Sequence, residues 1–223
     1  MTLQEAILTR HSVRQYLDKP VEEEKINQLQ SLIDDCNREG NLHIQLVTNE
    51  PNAFSGGMAK YGKFSGVSNY IAVIGPKGED EKMGYYGEKV VLLAQTLGLN
   101  TCWVGLSYKK QPDRYQVLDG EVLSCVISLG YGANQGTPHS QKKGIEHFCR
   151  TEGTMPEWFR KGMEAALLAP TAINQQKFEF ILTSGNKVKA KTRFAFTPYA
   201  KLDLGIVKCH FEIGAGKENF IWI

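Results

Sequence analysis

Long apolar runs are missing from this chain of 223 residues. None approaches the roughly 20 residues that span a bilayer, so the sequence offers no membrane partner. Neither sign of charge dominates: 26 Lys and Arg stand against 24 Asp and Glu, and no Lys/Arg-rich block occurs. A net charge of +2 argues against a nucleic-acid partner. Cysteine is sparse and odd in number, and Cys36, Cys102, Cys125, Cys149 and Cys209 form no Cys-x-x-Cys pair. No secretory leader pattern precedes them, which gives the expectation of reduced thiols in a cytoplasm. The five histidines have no metal-ligand spacing. No nucleophile–His–Asp set is evident, and Ser12 lies between two arginines with no obvious base. What remains is an ordinary globular composition, 42% apolar and 22% charged, long enough to bury a core as one large domain or two small lobes.

Periodicity supplies the elements. Leu3, Ala6, Ile7 and Leu8 mark a first helix, which Asp18-Lys19-Pro20 is expected to break. Ile26, Leu29, Leu32, Ile33 and Cys36 predict a helix over 22–38 that Gly40 ends. Residues 42–48 alternate as a strand, with Leu42, Ile44 and Leu46 inward. Residues 51–68 have no clear period and read as a long, functional loop. A buried strand over 70–74, a strongly apolar helix over 84–97 and strands over 101–106 and 122–129 follow. Beyond residue 150 come helix 156–168, strand 178–183, helix 202–213 and a strand over 219–223.

Two helix–strand units therefore occur twice: 22–38 with 42–48 and 156–168 with 178–183, then 84–97 with 101–106 and 202–213 with 219–223. Either this is chance likeness of common units, or residues 1–150 and 151–223 are two related halves packed about a pseudo-two-fold axis. The copies differ in one place. The second inserts Ala169-Pro170-Thr171-Ala172-Ile173-Asn174-Gln175-Gln176-Lys177 where the first has a short turn. That stretch is either a helix stop with a polar turn or a binding loop on a rigid scaffold.

Arg10-His11-Ser12-Val13-Arg14 is the most concentrated polar signal near the N-terminus. If the first helix continues through it, Arg10 and Arg14 fall one turn apart on one face. Such a pair either faces solvent as a basic surface or holds a phosphate.

Together these segments resemble the FMN-dependent nitroreductase family, here in a single-chain, internally duplicated form. Arg10 to Arg14 is similar to the family's R-x-S-x-[RK] motif, with Tyr16 behind it. Ala169 to Gln176 is similar to its A-P-[ST]-x-x-N-x-Q loop, and Gly98 to Gly105 to its G-L-x-T-C-W-x-G segment. Lys142-Lys143 fits the basic segment that closes the pattern. The loop departs from the family by lying in the second half instead of near residue 37. In family homodimers it reaches the partner's flavin, so the departure fits a monomer that works as a pseudo-dimer, with a homo-oligomer left open. The family's Pro-Trp after the glutamine is replaced by Lys177-Phe178.

The resemblance implies an α+β fold of mixed sheets flanked by helices. It implies FMN as cofactor, NADH or NADPH as co-substrate, and ping-pong reduction of a small acceptor such as a nitroaromatic or quinone. Arg10 and Ser12 would take the phosphate, closed by Lys142 or Lys143. Arg14 would lie at the pyrimidine edge, tuning the ring electrostatically. Tyr61 and Lys63 would also reach the pyrimidine, and Val104, Gly105 and Leu106 the N5 side. Pro170, Thr171, Ala172, Asn174 and Gln176 would come from the opposite half. No side chain is required as acid or base, because the chemistry lies on the flavin. Against this stand plainer readings: surface charge for Lys142 and Lys143, a turn for Gly105, capping for Thr171 and Asn174. Two other functions stay open, a flavin-binding or flavin-processing protein without NAD(P)H oxidation, and a degenerate scaffold.

Overall fold

The structure, a computed structural model, describes residues 1–138 and 143–223. Helix α1 (Leu3–Thr9) opens on a capping box, Thr2 accepting from the Glu5 amide while the Glu5 carboxylate accepts from the Thr2 amide. It ends far before Pro20, because Arg10 leaves the helix with φ −69° and ψ 120°. The chain then runs extended: Val13 N donates to Thr101 O, Tyr16 N to Ser65 O and Leu17 N to Tyr131 O. Long-range pairing thus overrides the helical spacing. Arg10 and Arg14 are not one turn apart; Arg10 is buried and Arg14 exposed.

The first sheet comprises β1 (Gln45–Val47), β2 (Asn69–Pro76), β3 (Asn100–Val104) and β4 (Glu121–Gly130) in the antiparallel order β1-β2-β4-β3. Strand β1 is shorter than its alternation suggests. Asn37, in α2 (Glu23–Gly40), holds the backbone of Ile44 by donating to its carbonyl and accepting from its amide. Leu29, Ile33 and Cys36 are the buried stripe of α2, and Asn41 takes the left-handed conformation at its end, with φ 50°. Residues 51–68 carry more structure than their composition suggests. Buried Glu50 accepts from the amides of Asn52 and Ala53 and starts a short turn, and α3 (Gly57–Tyr61) follows.

The second sheet runs β5-β6-β7-β8, from β5 (Cys149–Thr151), β6 (Phe178–Thr183), β7 (Lys187–Thr192) and β8 (Ile221–Trp222). Its outer pairings are parallel and β6–β7 is an antiparallel hairpin. Under it lies an aromatic core in which Phe180 stacks on Phe211 at 4.6 Å and Phe159 meets Phe211 edge-on. Helices α4 (Asp80–Thr96), α5 (Glu157–Leu167) and α6 (Ala200–Ala215) separate the sheets, and the apolar core runs without interruption from Ile33 through Val90 to Phe211. The architecture is α+β, two sheets flanked by helices. Among the described residues no helix is long and apolar enough to cross a membrane.

Helices α4 and α6 meet backbone to backbone. A Cβ on Gly84 would fall onto the Leu202 carbonyl, and one on Gly205 onto the Glu81 carbonyl and 2.7 Å from Tyr85 N. The contact is reciprocal, each glycine resting on the residue three before the other. It also sets the 169–177 loop. Asp203, one turn into α6, accepts from Ala172 N at 2.9 Å and Gln175 Nε2 at 3.1 Å.

Two expectations follow from this packing. Gly205→Ala should force the helices apart and cost about 3 kcal/mol, lowering Tm by roughly 6–12 °C. Gly56→Ala, whose Cβ meets nothing within 4 Å, serves as the control and should change Tm far less. Burial pushes the Asp203 carboxyl up from its ordinary 3.8 to about 6, against the two donors that favour its charge. The folded chain then holds a proton that the unfolded chain has lost between pH 4 and 6. Asp203 therefore favours folding at low pH and loses that contribution, up to about 3 kcal/mol, as pH rises through 6. Denaturant melts of the wild type and Asp203→Asn should diverge across this window, the variant gaining relative stability with rising pH.

Candidate active site

The exit of β3 builds the first-half face of the site. Trp103, Val104 and Gly105 line a pocket of about 400 Å³ together with Arg14, Tyr61, Lys63 and Phe64. Five of the residues singled out from sequence thus converge: Arg14, Tyr61, Lys63, Val104 and Gly105. Arg14 is held in place from both sides. Its carbonyl accepts from Ser65 N, and its guanidinium carbon lies 5.9 Å from the Phe64 ring centroid. Lys63 has φ 61°, and Gly62 packs so tightly on Ser107 that a Cβ would lie 2.5 Å from the serine Cβ. The turn leaving α3 is therefore a constrained wall, not a slack loop.

The second half closes on this pocket through Tyr199, which sequence reasoning missed. Its hydroxyl donates to Gly105 O at 3.1 Å, and its ring fills the space a Cβ at Gly105 would need. Gly105 is therefore a point of close approach and more than a turn. A tyrosine ahead of a helix carries no local signal of such a role. From Tyr199 the link continues to Asp203 and so to the 169–177 loop.

That loop is strained and firmly tied. Ile173, Asn174 and Gln176 all have φ near +50° (50°, 53° and 44°), unusual for residues with a Cβ. Gln175 Nε2 donates to Thr197 Oγ1, the Thr171 hydroxyl accepts from Gln176 N, and Gln176 Nε2 donates to Leu167 O. Thr171 thus caps its own loop. Pro170, Thr171, Ala172, Asn174 and Gln176 do not line the Arg14 pocket, and neither does Leu106, which is exposed.

Arg10 and Ser12 precede Arg14 on the extended segment, and all three act on the Cys102 thiol. Ser12 bridges to Thr101, and its hydroxyl reaches the Cys102 thiol, whose acidity burial suppresses. Arg10 is only 4% exposed, and its Nε is buried with no hydrogen-bond partner among the described residues. Among the described residues its one ion pair is with Glu88, at 3.9 Å. A buried guanidinium nitrogen without a partner is costly unless an acceptor completes it, which is the chemistry an anion such as a phosphate group supplies. Lys143 lies elsewhere, its Nζ 2.9 Å from His147 Nε2; the charges of Lys143, Arg193 and Lys177 add to burial in lowering the His147 pKa. Lys142 lies outside the described residues. A larger cavity of about 710 Å³, between α4, α6 and β8, contains none of the sequence-predicted residues, and most of its lysines are paired with glutamates.

With this geometry in hand the chain can be set beside known proteins. No curated protein sequence matches it. A "putative nitroreductase" from Thermotoga maritima MSB8 superposes with a TM-score of 0.63 at 21% identity, over 98% of this chain and 85% of that one. A "putative NADH dehydrogenase/NAD(P)H nitroreductase" from Parabacteroides distasonis ATCC 8503 gives 0.50 at 24% identity, over 66% of this chain and 95% of that one. A "putative nitroreductase in complex with FMN" from Desulfovibrio desulfuricans gives 0.50 at 17% identity, over 70% and 99%. At such identities these likenesses establish the fold. A family profile described as "Putative TM nitroreductase" matches residues 2–215, nearly the whole length, and the chain accordingly belongs to that nitroreductase family.

Proposed function

We propose that the chain is an FMN-dependent oxidoreductase using NADH or NADPH, with the flavin ring at the Arg14 pocket and its phosphate at Arg10 and Ser12. The observation that carries this reading is Arg10: a buried cation whose Nε has no partner, on the same extended segment as the cation that lines the pocket. When bound, FMN supplies a ring that takes a hydride from the nicotinamide and passes it to a nitroaromatic, quinone or similar acceptor. The protein's own work is electrostatic and positional. Arg14 offers a fixed positive charge where a reduced ring gains negative charge. Gly105, lacking a Cβ, lets backbone and the Tyr199 ring approach closely. No side chain need exchange a proton in this scheme.

The chain also works, in this reading, as a pseudo-dimer, residues 1–150 carrying the phosphate motif and 151–223 the partner-type loop. Three observations support it. The Gly84–Gly205 crossing is reciprocal, as across a two-fold axis. Asn100-Thr101-Cys102-Trp103 on β3 is echoed by Asn219-Phe220-Ile221-Trp222 at β8, each run following a helix and a left-handed glycine, Gly98 at φ 77° and Gly216 at φ 78°. The Desulfovibrio chain is matched over 99% of its length by 70% of this one, so one such unit leaves a remainder here.

Anaerobic stopped-flow tests the activity. The flavin should bleach on mixing with NADH or NADPH and return on adding a quinone; a flavin that dithionite bleaches but neither nucleotide does would replace this reading with flavin binding alone. A mixing experiment tests the site. Arg10→Ala should weaken FMN binding by roughly 1.5–3 kcal/mol, about 10- to 150-fold, and wild type should bind one FMN per chain. Asn174→Ala should weaken the same site. Mixed Arg10→Ala and Asn174→Ala chains should stay deficient, whereas recovery of about half the sites would mean that the site forms between chains.

A further inference from the structure

Behind the extended segment four side chains from four places meet: Arg10, Glu88 of α4, Trp103 of β3 and His210 of α6. Glu88 and His210 are fully buried. Glu88 Oε2 accepts the Trp103 indole N–H at 2.8 Å, and Oε1 meets His210 Nε2 at 2.8 Å. The other ring nitrogen of His210, Nδ1, lies 3.1 Å from Ala165 O, an acceptor only. Nδ1 must therefore carry a hydrogen, and one proton lies on the His210–Glu88 contact, since two lone pairs would repel at 2.8 Å. Arg10 Nε stands 3.9 Å from the same Oε1. That is within ion-pair range and beyond a hydrogen bond.

The arrangement is unusual for its parts. A buried arginine beside a buried glutamate ordinarily closes into a short, often bidentate pair that uses up the guanidinium donors. Here each carboxylate oxygen is already bonded to a ring from a different element, so the carboxylate cannot swing toward Arg10. With one proton on their contact, Glu88 and His210 are neutral as a pair, so they stand beside the arginine without consuming its hydrogens and leave its charge for an anion.

We propose that His210 is a positioning residue that keeps Glu88 off Arg10, leaving the guanidinium open to a phosphate. This rests on the reading of Arg10 as the flavin-phosphate anchor. It assigns the second half a part in phosphate binding that its loop does not supply.

Riboflavin provides the probe, since it shares the ring of FMN and lacks the phosphate. Apo-protein is titrated with both ligands, with folding checked by circular dichroism and Tm. In His210→Leu, Oε1 is released, Glu88 closes on Arg10, and FMN binding falls roughly tenfold while riboflavin binding changes less than about twofold. In His210→Gln a side-chain amide still donates to Oε1 and the preference for FMN is kept. In Glu88→Gln no carboxylate competes for Arg10, so the preference is kept or raised, and adding His210→Leu no longer lowers it. A merely structural role would weaken both ligands alike and would persist in the Glu88→Gln background; that pattern overturns the proposal. So does an unchanged preference in a folded His210→Leu. Should His210→Leu fail to fold, a loss of FMN preference in Glu88→Gln alone overturns it. The underlying reading fails separately, through Arg10→Ala leaving the FMN-to-riboflavin ratio untouched.

Discussion

The contact on which the rest depends is the backbone-to-backbone crossing of α4 and α6 at Gly84 and Gly205. Helices carrying side chains at the crossing point stand 8–10 Å or so apart; glycine on both sides lets them sink closer. Three further contacts hang on that approach. It delivers His210 to Glu88, Lys208 to Glu81 at 2.7 Å, and the start of α6, with Tyr199 and Asp203, to the end of β3 and the 169–177 loop. A shift of one helical turn would break each of them at once. The end of β3 and the 169–177 loop are therefore both tied to the α4–α6 packing by a pair of missing methyl groups.

The same crossing explains how so many charges come to be buried near the site. Arg10, Glu88, His210 and Asp203 each expose 6% or less. Charges at that depth persist only where a partner answers them. Glu88 has two hydrogen bonds and Asp203 has two, yet Arg10 Nε has none and Gln175 Oε1 has none. These two atoms lie on the segment after α1 and on the 169–177 loop; Tyr70 Oη and Gln111 Nε2 are the other buried atoms without a partner among the described residues. Packing elsewhere in the fold has to sustain that cost, and the continuous aromatic core beneath the second sheet is where it is largest.

What the sequence shows of this depends on the range of each interaction. Helices α2, α4, α5 and α6 are legible because apolar residues recur every three to four places, and β2, β4 and β6 because they are rich in apolar residues over a short run. The β7 strand is not, because Lys187, Lys189 and Lys191 give its exposed face a run of like charge that hides the alternation with Val188 and Ala190. The end of α1 was misread since its cause is Thr101, far along the chain, and no local breaker marks it. For the pocket, Arg14, Val104 and Gly105 come from motifs, and Tyr61 and Lys63 from the family resemblance alone. Glu88 and His210 come from neither, since a single acid and a single histidine inside apolar helices look like imperfections of periodicity. Their meeting needs the α4–α6 crossing, which only two glycines announce. A charged residue and a histidine on the buried stripes of two helices that carry glycine at matching places is the pattern that would have exposed it.

If the halves are read as two copies, their differences describe how a symmetric arrangement becomes a single site. Trp103 follows Gly98 by five residues and Trp222 follows Gly216 by six, yet the first donates its indole N–H to Glu88 and the second lies under Lys208 at 4.6 Å. The first tryptophan thus serves the charge network behind Arg10, while the second covers a lysine already paired with Glu81. Homodimers are denied such a division, because any residue altered at one site alters the other. A chain that carries both halves escapes that constraint: the C-terminal copy can give up its phosphate motif, keep the loop, and place a histidine where its counterpart needs none. The buried Glu88–His210 contact joins the two copies and has no mirror image, since the corresponding places, four residues after Gly205 and five after Gly84, hold Cys209 and Lys89, and Lys89 pairs with Glu39. Asymmetry of this kind is tolerable only where both copies are synthesised together and never exchange partners, which is the physical advantage of fusing them.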